Sequence, residues 1–198
     1  MTPEQLKNIV EAALLAANQP LSVDRLLSLF IDTEQPTREE LRAVLAQLER
    51  EYTTRGVELK EVSSGFRLQV KTEVAPWVAR LWEERPTRYS RALLETLVLI
   101  AYKQPVTRAD IEDIRGVAVS SNIIKTLQER EWIRVLGHRE VPGRPALYGT
   151  TRHFLDYFNL KSLDELPNLN EIKDLDDINV RLDLGGEPLM APMDNAAT

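Results

Sequence analysis

A twelve-residue pattern is echoed later in this chain, and any fold has to accommodate both versions of it. Glu11-Ala-Ala-Leu-Leu-Ala-Ala-Asn-Gln-Pro-Leu-Ser22 aligns without gaps with Thr96-Leu-Val-Leu-Ile-Ala-Tyr-Lys-Gln-Pro-Val-Thr107, 85 positions later. In each copy an apolar helical run stops at Gln-Pro, one aliphatic residue follows, and a hydroxyl residue stands ready to cap a second helix. Stop and start signals repeated at one offset point to two copies of one architecture. A chain of 198 residues is long enough for two small domains.

The first copy opens with a helix from about Pro3 to Ala17. Thr2 caps it, Pro3 suits its first turn, and Glu4 complements the dipole. Leu6, Ile9, Val10, Ala13 and Leu14 recur at helical spacing. Ser22 caps a second helix, Val23 to about Phe30, after a possible short strand at Leu21. Thr37 and Glu40 form a capping box for a third helix, which Gly56 is placed to end. The period then changes to two. Val57, Leu59 and Glu61, a turn at Ser63-Ser64-Gly65, and Phe66, Leu68 and Val70 spell a β-hairpin. Thr72 caps a last helix carrying Val74, Trp77, Val78 and Leu81. Three helices and a hairpin is the order of a winged helix-turn-helix domain.

The second half repeats the order. Ser90 caps a helix with Leu93, Leu94, Leu97, Val98 and Ala101 on its stripe, and Pro105-Val106 breaks it. Thr107 and Asp110 form another capping box, Gly116 ends that helix, and Ser120 or Ser121 starts a third. Ile133–Leu136 and Ala146–Thr151 are strands around a loop, and Arg152–Phe158 closes the unit. The expected fold is α+β, mainly helical: two tandem winged helix-turn-helix domains with an acidic C-terminal tail. The boundaries are 1–85, 86–158 and 159–198. Pro167, Pro188, Pro192 and many acids make the tail largely extended or disordered, although Ile172, Leu175, Ile178, Val180, Leu182 and Leu184 would let part of it dock.

Charge narrows the function. Residues 159–198 hold three basic and nine acidic side chains, so the whole net charge of −6 lies there and residues 1–158 are neutral. Nucleic-acid binders draw affinity from neutralising phosphates and usually carry a positive excess. Both third helices are balanced as well. Arg38, Arg42, Arg50 and Arg55 face Glu39, Glu40, Glu49 and Glu51 in one; Lys125 and Arg130 face Glu129 and Glu131 in the other. A helix order that commonly reads DNA is better suited here to protein recognition.

No pattern for catalysis, cofactor or metal binding emerges. The chain has no cysteine, so thiolate chemistry and disulfides are excluded, and a reducing cytoplasm suits it. His138 and His153 lack paired-ligand spacing, and the 8 glycines form no phosphate-cradling loop. Glu95 within an apolar helix is either a buried acid–base group or a capped, solvated one. No apolar run is long enough for a membrane span. The most unusual local feature is Pro142-Gly143-Arg144-Pro145. Two prolines and a glycine present Arg144 in a stiff frame, within a stretch where Arg134, Arg139, Arg144 and Arg152 outnumber Glu140. Arg144 is either an anchor for an acidic partner or the member of a rigid turn paired with a nearby carboxylate. Trp77, Leu81 and Trp82 either close the first core or form a dimer surface.

Several ordered segments of the second half resemble one family. Leu94-Glu95-Thr96, Ile100-Ala101-Tyr102-Lys103-Gln104-Pro105-Val106-Thr107-Arg108, Ile114-Arg115-Gly116-Val117, Pro142-Gly143-Arg144-Pro145 and Leu147-Tyr148-Gly149-Thr150-Thr151 are similar to the bacterial segregation and condensation protein B family. Phe154-Leu155, Tyr157-Phe158 and Leu163 through Pro167 continue the match, with Asn159 where glycine is expected before leucine. The resemblance implies two winged-helix domains and a homodimer formed chiefly through the first. It implies a non-catalytic adaptor that binds the kleisin subunit (segregation and condensation protein A) and, through it, the SMC ATPase that compacts and segregates chromosomes. That role would be cytoplasmic and nucleoid-associated, with DNA association indirect. Arg115, Pro142, Gly143, Arg144, Pro145 and Tyr148 are the expected partner-binding residues or supports of that surface, although Gly116, Pro142, Gly143 and Pro145 can equally serve to shape the backbone. The alternative is a DNA-binding winged-helix transcription regulator.

Overall fold

The computed structural model describes residues 1–31, 35–81 and 89–167, which fall into two compact units. The fold is mixed α+β, mainly helical, with one small two-stranded antiparallel sheet in each unit.

In the first unit, α1 spans Pro3–Ala16 and is closed by a full capping box, Thr2 with Gln5. Leu6, Val10 and Leu14 lie on its buried stripe. The chain reverses at Asn18–Pro20, and Leu21 forms a single bridge to Phe66 before Ser22 caps α2, Val23–Leu27. This helix is shorter than its apolar pattern suggests, because Ser28 to Phe30 continue only as turns. The expected box at Thr37 and Glu40 starts α3, Arg38–Tyr52, whose Leu41, Val44, Leu45, Leu48 and Tyr52 complete the core with Leu26 and Leu59. Each fully buried leucine contributes about 1.5–3 kcal/mol.

Two end signals act differently from expectation. α3 stops at Tyr52 and not at Gly56, because Thr53 to Arg55 turn back onto the last carbonyls while Lys71 ties its Nζ to Thr53 O at 2.6 Å. The last helix of the unit starts later than the expected cap at Thr72: α4, Ala75–Val78, begins after Val74 with no side-chain cap at that residue and tightens into a 3₁₀ turn at Ala79–Leu81. Pro76 in the first turn needs no donor and replaces that signal.

The hairpin pairs β1, Val57–Val62, with β2, Gly65–Val70, around the two residues Ser63 and Ser64. Gly65 belongs to the strand, with φ of 141°. A Cβ there would lie 2.3 Å from the carbonyl oxygen of Leu21, so the Leu21–Phe66 bridge requires glycine beside it.

In the second unit, α5 spans Arg91–Lys103, α6 Arg108–Arg115, α7 Ser121–Glu129 and α8 Arg152–Tyr157. Their caps are Ser90, Thr107 with Asp110, Ser120 and Thr151, and Gly116 ends α6 in the left-handed conformation at φ 70°. Trp132 is the centre of the core, in ring contact with Tyr89, Tyr157 and Phe158 at 4.7–5.2 Å. β3, Ile133–His138, runs two residues longer than expected by inserting a bulge at Leu136; it pairs with β4, Ala146–Thr150.

The packed chain also continues beyond residue 158, the expected edge of this unit. Asn159 adopts φ 58°, a conformation for which glycine is the default and asparagine the usual substitute, which accounts for the residue found there. Leu160 is buried, Leu166 packs against the core, and the Tyr102 hydroxyl donates to the Pro167 carbonyl. From residue 168 onward the tail lies outside the described residues.

Gly65→Ala should destabilise the first unit by about 3 kcal/mol, because both the backbone conformation and the contact with Leu21 are violated. Urea unfolding followed by circular dichroism reads the loss.

Candidate partner-binding site

The loop between β3 and β4 is built by three backbone hydrogen bonds. Arg139 N donates to Pro145 O at 3.0 Å, Val141 N to Arg139 O at 2.9 Å, and Arg144 N to Val141 O at 2.8 Å. The last closes a turn with Pro142 and Gly143 at its centre. Gly143 has φ 85°, the value that the third position of a type II turn demands. Arg144 follows with φ 39°, rare for a residue bearing a Cβ. Its side chain is 70% exposed and pairs with Glu140 at 2.8 Å, the turn-plus-carboxylate arrangement foreseen as one of its two roles. With both partners in water, such a pair contributes at most about 1 kcal/mol.

A second arginine fastens the loop to the body of the unit. Arg139 grips Asp110 with two hydrogen bonds, Nη1 to Oδ1 at 3.0 Å and Nη2 to Oδ2 at 2.6 Å. Asp110 is simultaneously the third residue of the α6 capping box, accepting from Thr107 N at 2.9 Å and from its hydroxyl at 2.8 Å. The Arg139 guanidinium, then the Thr107 amide and hydroxyl, hold this carboxyl far below the usual aspartate range. The capping box is legible in the sequence; its link to Arg139, 29 residues away, carries no local signal.

Arg115 sits elsewhere. It occupies the last turn of α6 and turns inward, with Nη2 2.8 Å from Glu95 Oε2 and Nη1 3.3 Å from the Thr96 hydroxyl. Its side chain is only 8% exposed, so it joins α6 to α5 and presents no free charge to a partner. Of the two roles expected for it, support is the one its position allows. The same pair answers the question raised by Glu95: Arg115, followed by Arg91, keeps it below the ordinary glutamate range, an ionised structural group and not a buried acid. Tyr148 lies on β4 opposite Val135, exchanges two backbone hydrogen bonds with Val106 (2.8 and 3.2 Å), and packs half-buried on the core. The structure thus gathers Pro142 to Pro145 in one turn and places Arg115 on α6 against α5 and Tyr148 on β4 against the core, apart from that turn's own hydrogen bonds.

In the first unit Trp77 and Leu81 are 65% and 77% exposed, so of the two alternatives stated for them these two do not close its core. Val74, which precedes the short helix α4, and Val78 within it are the half-buried members of that stripe. Trp82 lies outside the described residues. Sequence patterning missed a further exposed apolar set on the second unit, Ile114, Val117, Val135, Leu136 and Val141, because exposure cannot be read from hydrophobicity alone. Among the described residues no group of three or more His, Asp or Glu comes together to hold a metal, and no helix is long and apolar enough to cross a membrane.

Residues 8–169 match the family profile described as segregation and condensation complex subunit ScpB. The chain belongs to the segregation and condensation protein B family. It is similar to the segregation and condensation protein B homolog of Coxiella burnetii, 52% identical over 96% of this chain and 90% of that one. Segregation and condensation protein B of Bacillus subtilis is 41% identical over 90% of this chain and 89% of its own. A crystal structure of a dimer of the ScpB N-terminal domain complexed with a ScpA peptide is 30% identical, covers 40% of this chain and 96% of that chain, and has a TM-score of 0.36. Membership of the ScpB family makes this a non-catalytic subunit of an SMC complex in chromosome segregation and condensation.

The clasp at Asp110 has a defined acid dependence. A carboxyl whose pKa is lowered by folding contributes stability above its unfolded value, about 4, and loses it as pH falls towards the folded value. Arg139→Ala should lower the urea midpoint between pH 5 and 7, with the gap to the unmodified protein narrowing below pH 4. Urea midpoints at each pH read this. Arg115→Ala, by contrast, should cost about 2–3 kcal/mol at pH 7 through lost packing and a broken, largely buried pair.

Proposed function

We propose that this chain is a homodimeric adaptor that grips the kleisin subunit of the SMC complex, with its two units acting as tandem winged-helix modules. The observation that carries the reading is membership of the ScpB family over residues 8–169. In it, the first unit dimerises through Trp77, Leu81 and Trp82, and the second contributes the Pro142–Pro145 turn with Arg144 as its charged contact, while Arg115 and Tyr148 support the fold of that unit. The kleisin connects the adaptor to the SMC ATPase; association with DNA is indirect, and the assembly works at the nucleoid in the cytoplasm.

Two features of the loop favour Arg144 as a contact. Its side chain packs against nothing that the fold needs, and its backbone holds a conformation in which glycine would be relaxed. A residue kept at such a position against its own backbone preference points to a role outside folding. The regulator alternative loses support at the same place. Two of the four arginines that gave the stretch its basic excess are each paired with a carboxylate, Arg139 with Asp110 and Arg144 with Glu140. Phosphates would have to displace those partners.

Calorimetric titration with the isolated kleisin subunit should give saturable heat. Arg144→Gly should raise the stability of the free protein by about 0.5–1 kcal/mol while weakening binding about tenfold. Binding unaffected by this variant would leave the loop a structural turn. Tight duplex binding that falls steeply with salt, without kleisin heat, would favour the regulator. Trp77→Glu should shift the sedimentation profile from dimer towards monomer at micromolar concentration, with unchanged circular dichroism because Trp77 is not a core residue.

A further inference from the structure

We propose, on the reading of the Pro142–Pro145 turn as a kleisin contact, that Arg139 is a positioning residue for that contact: its two-pronged grip on Asp110 holds the turn in place, so that Arg144 meets the partner already ordered. Among the described residues, Arg139 makes the one polar side-chain link between the loop 139–145 and the rest of the unit; Arg144 pairs only with Glu140, inside the loop. Arg139 N also donates to Pro145 O, so fixing Arg139 fixes both ends of the loop.

The acceptor is itself immobile. Asp110 Oδ2 is held by the Thr107 amide and hydroxyl, and Val106, next to Thr107, bridges to Tyr148 on β4. The segment Val106–Asp110 therefore holds β4 through its backbone and the loop through Arg139. A guanidinium bound through both of its terminal nitrogens is fixed in orientation, which a single-point ammonium contact is not. Both partners stand partly in water, so what the pair supplies is geometry more than stability.

The first unit shows that this clasp is not part of the shared architecture. In the echo, Ser22 and Arg25 stand where Thr107 and Asp110 stand 85 positions later. A cation at that position cannot receive an arginine fork. The hairpin of that unit turns through Ser63 and Ser64 alone and carries no long loop to hold. The clasp accompanies the loop. Ordering a mobile loop on binding costs affinity, and a loop ordered beforehand is spared that cost.

The test is calorimetric titration of the full-length chain with the kleisin subunit, using Arg139→Ala, Arg144→Gly and the double variant. Because the pair is partly exposed, each variant should keep its circular dichroism. Arg139→Ala should weaken binding about fivefold, and Arg139→Lys nearly as much, since lysine keeps the charge and loses the fork. In the Arg144→Gly background the same Arg139→Ala change should alter affinity less than about twofold, because the side chain it positions is gone. In the free Arg139→Ala protein the Arg144 amide, bonded to Val141 O, should exchange its hydrogen faster. Binding weakened by Arg144→Gly and indifferent to Arg139→Ala overturns the proposal and leaves the turn a contact. Equal losses in both backgrounds also overturn it, and give Arg139 a general structural role. Binding indifferent to Arg144→Gly removes the contact reading itself, and the proposal with it.

Discussion

Each unit depends on one reversal, in which a single aliphatic residue after Gln-Pro joins the hairpin before the next helix begins. Leu21 and Phe66 exchange two backbone hydrogen bonds of 2.8 and 2.9 Å; Val106 and Tyr148 do the same at 2.8 and 3.2 Å. The following residue, Ser22 or Thr107, then caps the next helix with its hydroxyl. Two consecutive residues thereby fix the end of one helix, the start of another and the position of the hairpin. A two-stranded hairpin is at best marginally stable alone, and the bridge anchors it to the helices while the aliphatic side chain joins the core. The cost of the arrangement is steric: Gly65 in the first unit and Gly149 in the second are sites where a Cβ would come within 2.5 Å of a neighbour.

That reversal is also the part of the fold most legible in the sequence. The twelve-residue echo ends on it, and its signals are strictly local: a proline that ends a helix and a hydroxyl that starts one, joined in the second copy by Asp110 three positions on. Helix ends governed by tertiary contacts were less legible. α3 stops short of Gly56 because the following residues turn back and Lys71 secures them; the next helix starts after Val74, with Pro76 in its first turn, and not directly after Thr72. The bulge at Leu136 lets β3 run on beyond its apolar segment, and Leu160 and Leu166 pack on the second core past the expected edge at residue 158.

The candidate site was legible in kind but not in arrangement. Pro142-Gly143-Arg144-Pro145 signals a stiff turn by residue type alone, and the turn is there. Which arginine would hold the loop and which would remain at its tip depends on partners distant in sequence. Arg139 reaches Asp110 across 29 residues, and Arg115 reaches Glu95 across 20. Arg144 has only Glu140, four residues away and in water. Apolar clusters were harder still, since Trp77 and Leu81 share a helical stripe with Val74 and Val78, and only packing decides which pair lies inside.

Magnitudes constrain what the exposed Trp77 and Leu81 can accomplish. Fully burying one large apolar side chain contributes about 1.5–3 kcal/mol. A two-fold dimer buries each residue twice, so this pair supplies about 6–12 kcal/mol before association costs of about 4–15 kcal/mol are met. A micromolar dimer needs a net of about 8 kcal/mol. Trp77 and Leu81 can therefore form the centre of an interface but cannot sustain it alone. In the proposed dimer the remainder would come from further exposed surface, and Ile9, Leu15, Leu29 and Ile31 of the first unit also stand in water. A dimer of this chain should accordingly bury much more than the α4 face, and a substitution at Trp77 alone should weaken it by a finite factor without making it impossible at high concentration.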